Sequence, residues 1–182
     1  MGSLHPAFFL LIGALLIPLT RGRLRNAVVI ALPILGFINV LGLDVGTNAY
    51  LTLSGYNLHV LRVDKLSLLF GYLFHLAALI GAIYSMHIHD DGVQPTTAMM
   101  YAGSAVGAVF AGDLIILFIF WELLAVTSVF QVWARRTERA FKAGMRYIII
   151  HISSGLLVLA GTAVHYHQTG SLAFEHMDLS GL

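Results

Sequence analysis

The chain contains no cysteine and very little charge. The missing cysteine excludes disulfides, cysteine-ligated iron–sulfur clusters and thiolate zinc sites within it, and fits either side of a membrane. Lys, Arg, Asp and Glu make up 10% of the 182 residues and hydrophobic residues 58%, whereas soluble domains carry roughly 25% charged residues. So few polar side chains cannot cover a water-facing surface, and the solvent for most of the chain is lipid. A mean hydropathy of +0.85 agrees. A cleavable leader is also lacking: Met1–Pro6 has no cationic stretch, and the first apolar run ends in Arg21, Arg23 and Arg25, with no small-residue cleavage site. No repeat, low-complexity tract or long linker interrupts residues 1–182, which are expected to form a single membrane domain. No nucleic-acid partner is expected.

What is present is a series of apolar runs: roughly Pro6–Thr20, Asn26–Leu43, Asp64–Met86, Thr96–Gly112, Asp113–Trp133 and Gly144–Tyr166. Most approach the roughly 17–25 residues that cross hydrocarbon as helix. The fourth and fifth are separated only by Gly112-Asp113, and together they are too long for one crossing, so a tight turn is expected there. The pattern predicts an all-α integral membrane bundle of about six transmembrane helices. Between the second and third runs, Ala49–Ser54 and Asn57–Val63 are rich in β-formers around Ser54-Gly55 and predict a small extracytoplasmic β-hairpin. Eight of the ten Lys and Arg follow the first and fifth runs, at Arg21, Arg23, Arg25 and at Arg135, Arg136, Arg139, Lys142, Arg146. Cations mark the cytoplasmic side, so both termini are expected outside the cell membrane.

Nine Asp and Glu occur, and only Glu122 lies deep within a run. A carboxylate at a helix centre costs about 2.5–3.5 kcal/mol even on the mild insertion scale. It persists when paired, neutral or facing a wet cavity, and so points to proton exchange or cation binding; the plainer alternative is a protonated Glu hydrogen-bonded to a neighbouring helix. At 100° per residue, Tyr147, His151, Gly155, Thr162 and His165 share one stripe of the sixth run. His151 is a relay candidate against a simple packing role, since histidine titrates most easily near neutral pH; His165 is placed at the interface. His75, midway along the third run, could relay protons or bond a carbonyl. Paired with His151 it could also bind haem, although the two differ in depth by roughly 6 Å. Gly103, Gly107 and Ala111 form a small-residue stripe read as a packing seam. His87, His89, Asp90 and Asp91 read as a solvated loop in preference to a metal site. Glu138 and Lys142, four apart, can pair.

Gly112-Asp113-Leu114, then Phe120-Trp121-Glu122-Leu123-Leu124 and Thr127-Ser128, resemble the GDL…FWELL…S segment of the antiporter-like membrane subunits: the large proton-conducting subunits of complex I, the Mrp cation/proton antiporters and related membrane hydrogenases. Lys142–Tyr147, Ser153-Ser154-Gly155 and Thr169–Leu172 are similar to the next helix of that family. Val63–Phe70 is similar to the start of its third, with Lys65 in place of a glycine. The likeness is strongest to the D-type subunit of Mrp-like antiporters. The resemblance implies that Glu122 matches the fifth-helix glutamate used in proton transfer, that this subunit holds no cofactor, and that any redox chemistry lies on other subunits. It implies protons, and Na+ or K+, as cargo, and other membrane subunits as partners besides the lipid bilayer. Family members continue through a broken seventh helix and a functional lysine, so the resemblance covers their N-terminal part. Two further readings stay open: an assembly subunit without transport of its own, and a bis-His haem-binding redox subunit.

Overall fold

A computed structural model of the protein describes residues 4–53, 55–86 and 92–174. Six helices and one hairpin follow in chain order: α1 (Ala7–Ala14) with a 3-10 turn at Ile17–Leu19, α2 (Gly22–Leu41), β1 (Asn48–Leu53), β2 (Tyr56–Arg62), α3 (Lys65–Ser85), α4 (Val93–Val109), α5 (Leu114–Trp133) and α6 (Glu138–Thr169). Four of these, α2, α3, α5 and α6, are long and apolar enough to cross a bilayer. The expectation of about six membrane spans is therefore met in helix number and reduced to four in span number.

The two shortfalls have local causes. The first run breaks after eight helical residues, because Pro18 has no N–H to extend an α-helical ladder and the chain tightens into the 3-10 turn. α4 has 17 residues, at the lower edge of what spans hydrocarbon. It starts earlier than expected, at Val93, with Pro95 in the first turn, where a missing N–H is tolerated. α6 is longer than expected. Its 32 residues run from the Thr137 cap, whose Oγ1 accepts from the Ala140 N–H at 3.1 Å, to Gly170 at φ 68°. At roughly 1.5 Å per residue it is about 48 Å long, more than a hydrocarbon core needs. Its extra first turns carry the Lys142–Glu138 pair at 2.7 Å.

The hairpin forms within one residue of the expected bounds, antiparallel, with a register slip at Ala49/Tyr50. It is fastened to the α4–α5 turn: the Arg62 N–H donates to the Phe110 carbonyl at 2.9 Å, and the Gly112 N–H to the His59 carbonyl at 3.0 Å. The core lies under it, between α1, α2, α3, α4 and α5, around Leu10, Ile17, Val40, Leu61, Val106 and Phe110. α4 is the central element. Its small-residue stripe packs as expected but serves two neighbours: a Cβ at Gly103 would lie 2.9 Å from Leu11 Cγ of α1, and one at Gly107 would collide with the Phe120 ring of α5. α6 packs chiefly along α5, with 11% of its apolar window covered. The loop His87, His89, Asp90, Asp91 lies outside the described residues.

Candidate functional site

The α5–α6 contact is built by residues of unlike size. At its cytoplasm-proximal end, by the cation pattern, Trp133 and Val129 of α5 fill the space where Gly144 of α6 has no side chain. One turn further in, Ser128 meets Tyr147. The Ser128 Oγ lies 2.7 Å from the Ala125 carbonyl and 2.9 Å from Tyr147 Oη. A serine hydroxyl has one proton, so Ser128 donates to the carbonyl and Tyr147 donates to Ser128. His151 follows on α6, its ring between Tyr147 (centroids 5.6 Å apart) and Trp121 of α5 (6.2 Å, planes 28° apart). Its Nε2 is enclosed with no hydrogen-bond partner among the described residues.

Glu122 stands next, nine positions into α5 from its Asp113 cap and eleven before Trp133. The residue is half-buried. Its carboxylate lies against Gly155 of α6, and Oε1 is enclosed without a hydrogen-bond partner among the described residues. Gly155 is one helical turn beyond His151 on the same face, roughly 6 Å along the axis. The stripe of Tyr147, His151 and Gly155 expected from periodicity thus turns toward α5, and Thr162 beyond it is buried with its hydroxyl donating to the Val158 carbonyl at 2.9 Å. His165 is half-buried, and its Nε2 has no partner among the described residues.

His75 is placed elsewhere. It is fully enclosed in α3, its Nδ1–H donates to the Gly71 carbonyl at 2.8 Å, and its Nε2 presses against Gly36 of α2, where no Cβ could fit. His75 faces α2 and His151 faces α5, so the structure brings Glu122 and His151 together and leaves His75 apart. Two rings directed at different helices do not form an axial pair for haem.

Two side chains outside the expected set are also deeply placed. Asp113, 2% exposed, joins the hairpin to α5: Oδ1 accepts from the Ile116 N–H at 2.7 Å and Oδ2 from the His59 N–H at 2.6 Å. The His59 ring stacks on Tyr50 with centroids 4.3 Å apart, contacts Asn48 Oδ1 at 2.9 Å, and occupies the space beside Gly112. Burial lowers the His59 pKa from its ordinary value, against the opposite pull of the Asp113 carboxylate. His5, 5% exposed, stacks on Phe120 with centroids 5.5 Å apart. No local pattern marks either residue, because each acts through a partner distant in sequence.

The family model described as NADH:quinone oxidoreductase/Mrp antiporter, TM, matches residues 111–181. NADH-quinone oxidoreductase subunit N 2 of Roseiflexus castenholzii is 30% identical over 91% of this chain and 33% of its own length. The chain belongs to the NADH:quinone oxidoreductase/Mrp antiporter membrane-subunit family. Within that family, a Na(+)/H(+) antiporter protein of Alkalihalophilus pseudofirmus is 27% identical over 64% of this chain and 16% of its own length. Subunit M of the Escherichia coli NADH-quinone oxidoreductase is 28% identical over 69% and 26%. The chain thus spans a third or less of the length of these relatives. The fold is shared with a chain of the Mrp complex from Dietzia sp. DQ12-45-1b (TM-score 0.79, 22% identity, 92% of this chain and 20% of that one). It is also shared with a chain of the membrane-bound sulfane sulfur reductase, an archaeal respiratory membrane complex (TM-score 0.78, 19% identity, 92% and 37%). The matched segment holds Asp113, Glu122, His151 and Gly155.

Proposed function

We propose that this chain is a membrane subunit of a monovalent cation/proton antiporter or complex-I-like proton pump, and that Glu122 exchanges a proton in the transport path. The observation that carries this reading is a lone carboxylate midway along an apolar helix, one oxygen enclosed and without a hydrogen-bond partner among the described residues. A group so placed costs free energy that packing alone does not return. His151, one turn away on the opposing helix, is the relay candidate; its ring is held by two aromatic neighbours while Nε2 stays uncommitted among the described residues. The enclosed, carbonyl-anchored His75 has the weaker support as a relay and reads better as a spacer between α2 and α3.

The partners are the bilayer and other membrane subunits of a hetero-oligomeric assembly, as the relatives' names suggest, and the cargo is protons with Na+ or K+. The seating is the cell membrane with both termini outside, supported by the eight cations that follow the first and fifth apolar runs. Glu122→Gln keeps the shape and removes the titrating group. In membranes carrying the assembled complex it is expected to abolish cation-dependent proton flux with the complex still assembled. Undiminished flux at normal abundance rejects the role and leaves a scaffold protein.

A further inference from the structure

We propose that Gly155 is the positioning residue of the α5 acid: the side chain it lacks leaves the notch in which the Glu122 carboxylate rests. The inference depends on the proton-exchange reading of Glu122 and adds to it the feature of α6 that fixes where the acid sits.

α6 carries three glycines within its helix, each costing about 0.8–1 kcal/mol relative to alanine by intrinsic preference. None of the three has a positive φ, so none is required by the backbone. Their surroundings differ. A Cβ at Gly144 would strike the Trp133 ring, which is helix packing between apolar surfaces. A Cβ at Gly161 would meet nothing within 4 Å. A Cβ at Gly155 would fall on Glu122 Oε1, with the carboxyl carbon 2.8 Å away. Gly155 is buried, whereas Ser153, Ser154, Leu156 and Leu157 around it are exposed. The α6 backbone is therefore approached at this one turn by a carboxylate, on the face that also presents His151.

The consequence separates position from charge. The colliding atom is the far end of a flexible side chain, so a methyl group at 155 moves the carboxylate by rotation about its own torsions and leaves the helices in place. Gly155→Ala thus keeps the acid, keeps its protonation chemistry and changes its location relative to α6. Misplacement of a reacting group by about 1 Å can cost on the order of 100-fold in rate.

The test uses the full complex in its membrane and measures proton flux, its pH profile and the amount of this chain in the complex. Gly155→Ala is expected to lower flux by roughly 10- to 100-fold and to displace the pH profile, at normal abundance. Glu122→Asp introduced into that variant withdraws the carboxylate by one methylene and is expected to restore at least part of the flux. Rescue of this kind is not produced by a packing defect. Wild-type flux in Gly155→Ala, with flux lost in Glu122→Gln, overturns the positioning role and leaves the acid's role standing. Flux retained in Glu122→Gln rejects the underlying reading instead. Should Gly155→Ala fail to assemble, the Gly155→Ala/Glu122→Ala pair decides, since truncating the acid frees the space for the methyl. Restored abundance supports the notch, and continued loss overturns it.

Discussion

Removing the Asp113 carboxylate should unfasten the hairpin from the membrane helices, and the structure gives the size of the effect. Asp113 is 2% exposed and each oxygen takes one backbone N–H, from Ile116 at 2.7 Å and from His59 at 2.6 Å. In Asp113→Ala the first loss is that of a helix N-cap, about 0.5–2 kcal/mol. The second leaves the His59 N–H without its acceptor in a partly enclosed position, about 1–3 kcal/mol. The two bonds share one side chain, so their sum of roughly 2–4 kcal/mol is an upper range. Asp113→Asn keeps one carbonyl oxygen and turns an NH2 toward the other N–H, so it should lie between Ala and wild type. Denaturant unfolding in detergent gives the total. Amide hydrogen exchange locates it, because residues 57–62 should lose protection while α2 and α3 keep theirs. An alanine variant within about 0.5 kcal/mol of wild type, the ordinary scatter of surface substitutions, or one with unchanged protection in the hairpin, would refute the assignment of Asp113 as the fastening.

Gly36→Ala should destabilise by about 1–3 kcal/mol: the atom in the way belongs to His75, whose ring is enclosed and held by its bond to the Gly71 carbonyl and so cannot swing aside. Gly81→Ala, with open space around it, is the matched control and should stabilise by up to about 1 kcal/mol in the same unfolding assay. His59 gives the hairpin a pH dependence of known sign. Its folded pKa lies below the ordinary 6.5, so its contribution is complete above 6.5 and is lost as pH falls from there through the folded value. Hairpin amides should exchange faster at about pH 5.5 than at about 7.5 after correction for intrinsic rates, and His59→Gln should remove the difference. Glu138→Ala breaks an ion pair whose side chains are 81% and 70% exposed and should change stability by less than about 0.5 kcal/mol, since exposed i,i+4 pairs contribute little.

What the sequence makes legible depends on whether a residue's meaning is local. Glu122 is legible because one carboxylate in an apolar run is anomalous wherever the run packs. The hairpin is legible because its β-formers and its turn are adjacent. Helix ends are less so. Arg139, Lys142 and Arg146 give the first turns of α6 a polar composition, and hydropathy reads those turns as loop although Thr137 caps a continuous helix. Asp113 is the opposite case: beside Gly112 it reads as a turn residue, and a turn it is, but its second oxygen serves an N–H 54 positions away. His75 likewise needs its distant neighbour Gly36 before it can be told from a relay.

The glycines of α6 show where the boundary falls. Eleven residues separate Gly144 from Gly155, and at 100° per residue this brings them within about 20° of one face. Gly161 is six residues from Gly155 and falls about 120° away. Angular arithmetic alone therefore divides the seam glycines from the free one, and the structure divides them identically. The arithmetic cannot say what fills each gap, because that depends on which residues of α5 stand opposite. The pairing of Gly144 with Trp133 fixes the register of the antiparallel pair. Moving eleven residues along α6 to Gly155 then means moving back eleven along α5 from Trp133, to position 122. The large aromatic that locks the end of the seam thus also sets the depth at which the acid meets its notch. Trp133→Ala should accordingly weaken the α5–α6 seam and broaden the position of Glu122, lowering flux without touching the carboxylate; full flux in that variant would show that the register is held elsewhere.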